Sequence, residues 1–296
     1  MKNLIFFSFL FCLLTLTSCA SEGTQTSEAT VSETNPVRII SLSGTLTEIL
    51  YALDYGDQIV GVDVTSSYPA EARSKPQMGH ISQLNVEGLL AAQPDIIFVD
   101  AEQADNQALN TVKEAGVNVV AVPMRSTLDN AVYATEAIAE VLEVPETAKS
   151  KIENQVKEGS AALAELVAGR QERPRVLFIY ARGAGRIMVA GKNTDAAAII
   201  EIAGGQNAIT SFEDFKPLTP EALVEAAPEV ILMFTSGLES LDGKAGLASI
   251  PGIAETPAYK QDRIIAMDGH YLISFGPRQA EAAQELAKRL FPNVSK

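Results

Sequence analysis

One segment of this chain occurs twice, and that repeat constrains the fold more than any other feature. Residues 85–99 read Asn85-Val86-Glu87-Gly88-Leu89-Leu90-Ala91-Ala92-Gln93-Pro94 and then an apolar run to Val99. Residues 219–233 follow the same plan from Thr219-Pro220-Glu221 to Pro228 and the run ending at Met233. Each copy has a capping residue, a glutamate in the first helical turn, an apolar face, a proline that stops the helix, and a buried strand. Strand-like runs at 37–42 and 175–180 precede the two copies, each leading through a glycine-containing loop into a helical stretch, 45–53 and 194–203. Further strands are predicted at 117–122 and 263–267. Strand and helix alternating twice in this way specify an α/β protein of two Rossmann-like lobes with mostly parallel sheets. The lobes are expected at 37–143 and 171–296. Residues 144–170 between them are almost free of breakers, with Pro145 suited to a first turn and Gly159 the single soft spot. They predict one long rigid helix, leaving an inter-lobe cleft of the kind that takes small ligands.

The first nineteen residues read as an address. Lys2 precedes an apolar run, 4–16, too short to span a bilayer, and the run ends in Leu16-Thr17-Ser18-Cys19. A small-residue site with cysteine at the cut is the pattern of a lipoprotein signal, in which the Cys19 thiol takes the lipid. Residues 20–36, rich in Ser, Thr and Glu, are expected to be a flexible tether. The location implied is the periplasm or cell surface, lipid-anchored to a membrane. Cys12 falls within the removed peptide, so no free thiol is expected in the mature chain.

A formal net charge of −14 repels phosphate backbones, so no nucleic-acid partner is expected. Catalytic patterns are missing too: there is no Gly-x-Ser-x-Gly elbow, P-loop or His-Glu-x-x-His, and the chain holds only two histidines, His80 and His270. Gly183-Ala184-Gly185 lacks the third glycine of a dinucleotide loop. The residues point to a binding protein, with no catalytic cofactor and no enzyme.

Several stretches narrow this further: Gly44-Thr45-Leu46-Thr47-Glu48-Ile49, Asp63-Val64-Thr65-Ser66-Ser67-Tyr68-Pro69, Gly79-His80, Gln83-Leu84-Asn85-Val86-Glu87-Gly88, Met188-Val189-Ala190-Gly191 and Phe275-Gly276-Pro277-Arg278. In order and spacing they resemble the haem-binding branch of the substrate-binding proteins of bacterial ABC importers for metal chelates, haem and cobalamin, across residues 36–292. The resemblance implies a monomeric helical-backbone periplasmic binding protein. It would capture haem in the cleft and deliver it to an ABC permease dimer with a cytoplasmic ATPase. Glu87 and Glu221 match the two lobe-tip carboxylates that dock on the permease in that family, although each would also serve as an ordinary helix-dipole charge.

The family holds haem iron through a tyrosine following glycine, where this chain has Met78-Gly79-His80. His80 is therefore the expected axial ligand, imidazole standing in for phenolate. Tyr68, His270 and Tyr271 are the alternatives. Arg182, Arg186 and Lys192 are expected as one cluster of cations for the haem propionates, and Met188 as packing. A ferric siderophore or cobalamin is the alternative cargo. An exported haem- or metal-dependent enzyme, or a haem chaperone that works without a transporter, is the reading from another class.

Overall fold

The computed structural model describes residues 36–292, so the predicted leader, Cys19 and most of the tether lie outside the described residues. The first lobe contains β1 (Ile39–Ser41), α1 (Gly44–Ala52), β2 (Ile59–Val62), α2 (Val86–Ala91), β3 (Ile96–Asp100), α3 (Gln107–Glu114), β4 (Asn118–Val122) and α4 (Asn130–Ala139). Its sheet runs β2-β1-β3-β4 and is parallel throughout. Then comes α5 (Glu146–Val167), whose 22 residues span about 33 Å.

The second lobe contains β5 (Arg175–Ala181), β6 (Ile187–Ala190), α6 (Asp195–Ile202), β7 (Gln206–Asn207), β8 (Phe215–Pro217), α7 (Pro220–Ala226), β9 (Val230–Phe234) and α8 (Thr235–Glu239). It continues through α9 (Gly243–Ala248), α10 (Pro257–Lys260), β10 (Ile264–Met267) and α11 (Gly269–Ile273) to α12 (Gln279–Leu290). Its sheet order is β10-β9-β5-β6-β8. The β5, β9 and β10 strands are parallel, while β6 and β8 join by antiparallel pairing.

The repeat explains the architecture. β3 and β9 are near-continuous apolar runs because helices cover both faces of their sheets, and each lies beside the first strand of its lobe. Apolar side chains fill both faces of each sheet: Leu46, Ile49, Phe98 and Ile138 on one side of the first, Leu42, Ile97, Leu89 and Leu109 on the other. In the second lobe Phe178, Leu232 and Leu286 lie on one face, Leu177, Ile231 and Leu247 on the other.

Residues 36–292 nevertheless form one compact unit, in which the α5 connector packs against α12. Gly159, the soft spot of the connector, is where the two helices press closest. A Cβ there would stand 2.6 Å from the Ala280 Cβ, and the Gln284 amide donates to the Gly159 carbonyl at 2.9 Å. Helix propensity alone favours alanine over glycine by about 1 kcal/mol, but the overlap costs about 1–3 kcal/mol. Gly159→Ala is therefore expected to lower the urea midpoint; a raised midpoint would show that the helices do not press there.

Candidate ligand-binding cleft

The carboxyl ends of the two sheets lead into loops that meet one another. β1 ends at Ser41 and passes into α1, which carries Glu48; β10 ends at Met267 and passes into α11 and the turn before α12. Across this junction Arg278 grips Glu48 bidentately, Nε to Oε1 at 2.9 Å and Nη2 to Oε2 at 2.8 Å. His270 Nε2 lies 3.1 Å from Oε2. The Thr45 hydroxyl donates to the Ser274 carbonyl at 2.7 Å and the Asn130 amide to the Phe275 carbonyl at 3.0 Å. Phe275 takes a left-handed conformation, φ 52°, held additionally by Gln279 Oε1 accepting from its N–H. A non-glycine residue keeps such a backbone only where its surroundings over-determine it. Glu48 is 3% exposed. Burial alone would raise its pKa, but the hydrogen bonds from His270 and Arg278 and the charge of Arg278 outweigh burial and hold it below the ordinary 4.5.

Arg278 also stacks on Tyr68 of the first lobe, 3.4 Å from guanidinium carbon to ring centroid, with Tyr271 of the second lobe 5.1 Å away. Tyr68, His270 and Tyr271, the alternative ligands, differ in their surroundings. His270 and Tyr271 lie on the short helix α11. The His270 imidazole has Nε2 on Glu48 and its Nδ1 edge packed against Gly44, so it is committed to the lobe junction. Tyr68 is 42% exposed.

His80 is an exposed loop residue preceding a single 3-10 turn. Gly79 before it adopts φ 92°, and a Cβ there would stand 3.0 Å from the Gln83 carbonyl oxygen, so glycine is what aims this loop. The His80 Nδ1 accepts the Ser82 N–H at 3.2 Å and lies 2.8 Å from the Ser82 hydroxyl. Its Nε2 has no hydrogen-bond partner among the described residues. The loop runs beside the Tyr68 loop, since the Val64 N–H donates to the Gly79 carbonyl at 3.2 Å.

The three candidate cations do not form one cluster. Arg182 and Arg186 close the β5–β6 turn, with the Arg182 N–H donating to the Arg186 carbonyl at 3.1 Å. Lys192 follows the far end of β6, whose four residues span about 13 Å. The sequence placed all three in one stretch, but an antiparallel hairpin sends its two ends to opposite ends of the strand. None of the three has an ion-pair partner among the described residues. Acidic groups of both lobes lie near one another, Asp195 at the start of α6 in the second lobe and Asp100 with Glu102 in the first. Burial raises the pKa of Asp195, against the Ser126 hydroxyl bond at 2.5 Å, and burial with the Glu102 and Asp195 charges raises that of Asp100.

Glu87 and Glu221 are exposed in the first turns of α2 and α7, behind side-chain caps from Asn85 and Thr219, each accepting an N–H at 3.2 Å. Each of these helices runs back from the carboxyl end of its sheet, so the two carboxylates occupy equivalent rims of the two lobes.

Two other hollows lie elsewhere. A groove of about 430 Å³ runs between α5 and α12, and a hollow of about 1260 Å³ lies under the second lobe around Arg170, Arg173 and Arg263. The larger is no better a candidate for its size: these three guanidiniums are spent on the carbonyls of Leu166, Gly205 and Leu290. It also sits where β5 and β10 begin, whereas open α/β sheets bind ligands at their carboxyl ends. Among the described residues no group of three or more His, Cys, Asp or Glu side chains could hold a bare metal ion, and no helix is long and apolar enough to cross a membrane.

Residues 39–271 match the periplasmic binding protein family. The structure is similar to the apo periplasmic haem-binding protein RhuT of Roseiflexus sp. RS-1, with a TM-score of 0.82 and 36% identity, covering 86% of this chain and 98% of that one. YvrC of Bacillus subtilis, an uncharacterized ABC transporter substrate-binding lipoprotein, is 26% identical over 88% of this chain and 82% of its own. A cobalamin-binding protein of Halobacterium salinarum is 26% identical over 86% of this chain and 69% of its own.

Proposed function

The chain belongs to the periplasmic binding protein family and is the substrate-binding component of an ABC importer; on that premise we propose that its cargo is haem, held in the inter-lobe cleft with His80 as axial ligand. The observation that carries this reading is the His80 loop: an exposed imidazole, aimed by a left-handed glycine, with one ring nitrogen uncommitted. The likeness to a haem-binding protein at 36% identity supports the same cargo. Cobalamin is the second reading, favoured by the Halobacterium relative, and a ferric siderophore would use the same fold.

Ligation through Nε2 requires the neutral ring to carry its proton on Nδ1. The Ser82 hydroxyl, 2.8 Å away, accepts that proton, and the weaker Ser82 N–H contact is given up. Arg182 and Arg186, at one turn, would face the two propionates, with Lys192 too far along the hairpin to share them. Tyr68 and Tyr271 are the alternative ligands. The protein works as a monomer, anchored by lipid on Cys19 to a membrane at the periplasm or cell surface, and meets its permease and ATPase through Glu87 and Glu221. Cleft complementarity does all of this without bond-making chemistry, so neither an enzyme nor a transporter-independent chaperone is needed to account for the site.

The test is an absorption titration of the mature chain, residues 20–296, with hemin. A one-to-one shift to a histidine-ligated spectrum is expected, lost in His80→Ala. In Ser82→Ala the shift is kept and the affinity falls by about tenfold or more, the usual effect of removing a ligand's orienting partner. An unchanged spectrum in His80→Ala would move the ligand to Tyr68 or Tyr271.

A further inference from the structure

Helices α2 and α7 carry Glu87 and Glu221 in their first turns, and both lobes hold the other end of the helix in the same way. Arg38, just before β1, donates from its guanidinium to the Ala92 carbonyl at 2.7 Å and to the Gln93 carbonyl at 2.9 Å. Arg175, which opens β5, donates to the Glu225 and Ala226 carbonyls at 2.9 Å each. Carbonyls at a helix C-terminus lack intrahelical donors, and a positive charge suits that end of the dipole. Each arginine is itself pinned. The Arg38 N–H donates to the Asp95 carboxylate and the Arg175 N–H to the Glu229 carboxylate, both at 2.8 Å. The Asp95 and Glu229 N–H groups donate back to the two arginine carbonyls at 2.9 Å. At the same place in both copies the chain turns through a left-handed residue that is not glycine, Gln93 with φ 47° and Ala227 with φ 36°. Such a backbone persists only where its surroundings over-determine it.

The two helices need this hold. α2 has 6 residues and buries only Leu89, while α7 has 7 and buries Leu223 and Ala226. Helices that short are not stable alone, so tertiary contacts set their direction. A helix anchored by one leucine is free to swivel about that side chain, and a second fixed point at its C-terminal end removes the freedom. From Glu87 to Ala92, and from Glu221 to Ala226, the distance along the axis is about 8 Å. A swing at the clamped end is therefore passed on to the carboxylate. The clamps lie where β1, β3, β5 and β9 begin, away from the cleft at the carboxyl ends of the sheets. A partner that engages both carboxylates at once accepts only a narrow range of separations and orientations. We infer that Arg38 and Arg175 are positioning residues for permease docking, each acting through the carboxylate of its own lobe. The inference rests on the docking reading of Glu87 and Glu221 and adds to it the residues that keep the two-point fit in register.

The test follows hemin uptake into proteoliposomes holding the permease and ATPase, as a function of the concentration of the mature chain. Arg38→Gln and Arg175→Gln are each made in the wild type and in Glu221→Ala, which keeps part of the uptake through Glu87. In the wild type Arg175→Gln is expected to raise the half-saturating concentration about fivefold or more. In Glu221→Ala it is expected to raise it by less than about twofold, because α7 has no carboxylate left to place. Arg38→Gln, in the opposite lobe, is expected to cost about fivefold or more in both backgrounds. Hemin affinity is expected to stay within about twofold of the wild type throughout. Arginines that only stabilise the fold would cost the same in both backgrounds in either lobe, and that outcome overturns the inference. Should a glutamine variant fail to fold, lysine at the same position carries the same comparison, since it keeps the charge but not the fork that spans two carbonyls. Wild-type uptake in Glu87→Ala/Glu221→Ala would overturn the docking reading and the inference together. Loss of uptake there, with wild-type half-saturation in both arginine variants, overturns the positioning role alone.

Discussion

Glu48→Ala is expected to cost about 3–5 kcal/mol of unfolding free energy, the range for removing one partner of a buried ion pair. The carboxylate is 3% exposed and answers Arg278 through two hydrogen bonds and His270 through a third contact. Without it a half-buried guanidinium, stacked on Tyr68, is left with no carboxylate at the seam between the lobes. Most of that cost is the stranded partner, not the worth of the pair. Glu48→Leu combined with Arg278→Met should therefore cost clearly less than Glu48→Ala alone. Urea unfolding of the three proteins checks this, and a Glu48→Ala cost below about 1 kcal/mol, the level of an exposed pair, would contradict it.

The same pair sets a pH dependence. The folded pKa of Glu48 lies below its ordinary 4.5, so its contribution to stability is fully present above about pH 4.5 and is lost as pH falls through the depressed folded value. The wild type should therefore lose stability more steeply than Glu48→Gln as the pH is lowered from 5 toward 3.

Glu87→Ala/Glu221→Ala is expected to abolish haem uptake while leaving hemin binding by the purified protein unchanged. Both side chains are exposed, and their helix caps, Asn85 and Thr219, stay in place. The stability cost is thus only the few tenths of a kcal/mol that each carboxylate gains at a helix N-terminus. Docking depends instead on pairing both carboxylates with permease cations, which steers encounter and fixes orientation. Each single variant should retain part of the uptake rate. Uptake by the double variant at the wild-type rate would remove the two residues from the docking surface.

What the sequence disclosed follows the range over which each signal acts. The paired segments ending in β3 and β9 were legible because a strand buried on both faces writes a continuous apolar run, and the Pro94 and Pro228 stops mark where it starts. The edge of the second sheet was not: all three residues of β8 are exposed, and Phe215-Lys216-Pro217 carries neither alternation nor an apolar run. Glu48 and Arg278 stand 230 positions apart. Glu48 sits among Leu46, Ile49 and Leu50 as any helix glutamate would, and only the second lobe closing over α1 makes it a buried partner. For the same reason His270 read as an alternative axial ligand, and the cations Arg182, Arg186 and Lys192 read as neighbours although β6 separates them. Gly159 showed as a soft spot in the connector, but what it makes room for, Ala280, lies in α12.

The proposed cargo, haem, has two rivals that the same fold accommodates. Its most direct test is a set of equilibrium titrations of the mature chain with hemin, cobalamin and a ferric siderophore in one buffer. Hemin is expected to form a one-to-one complex at least about 100-fold, or 2.8 kcal/mol, tighter than either rival. Tighter binding of cobalamin or of the siderophore than of hemin would contradict it.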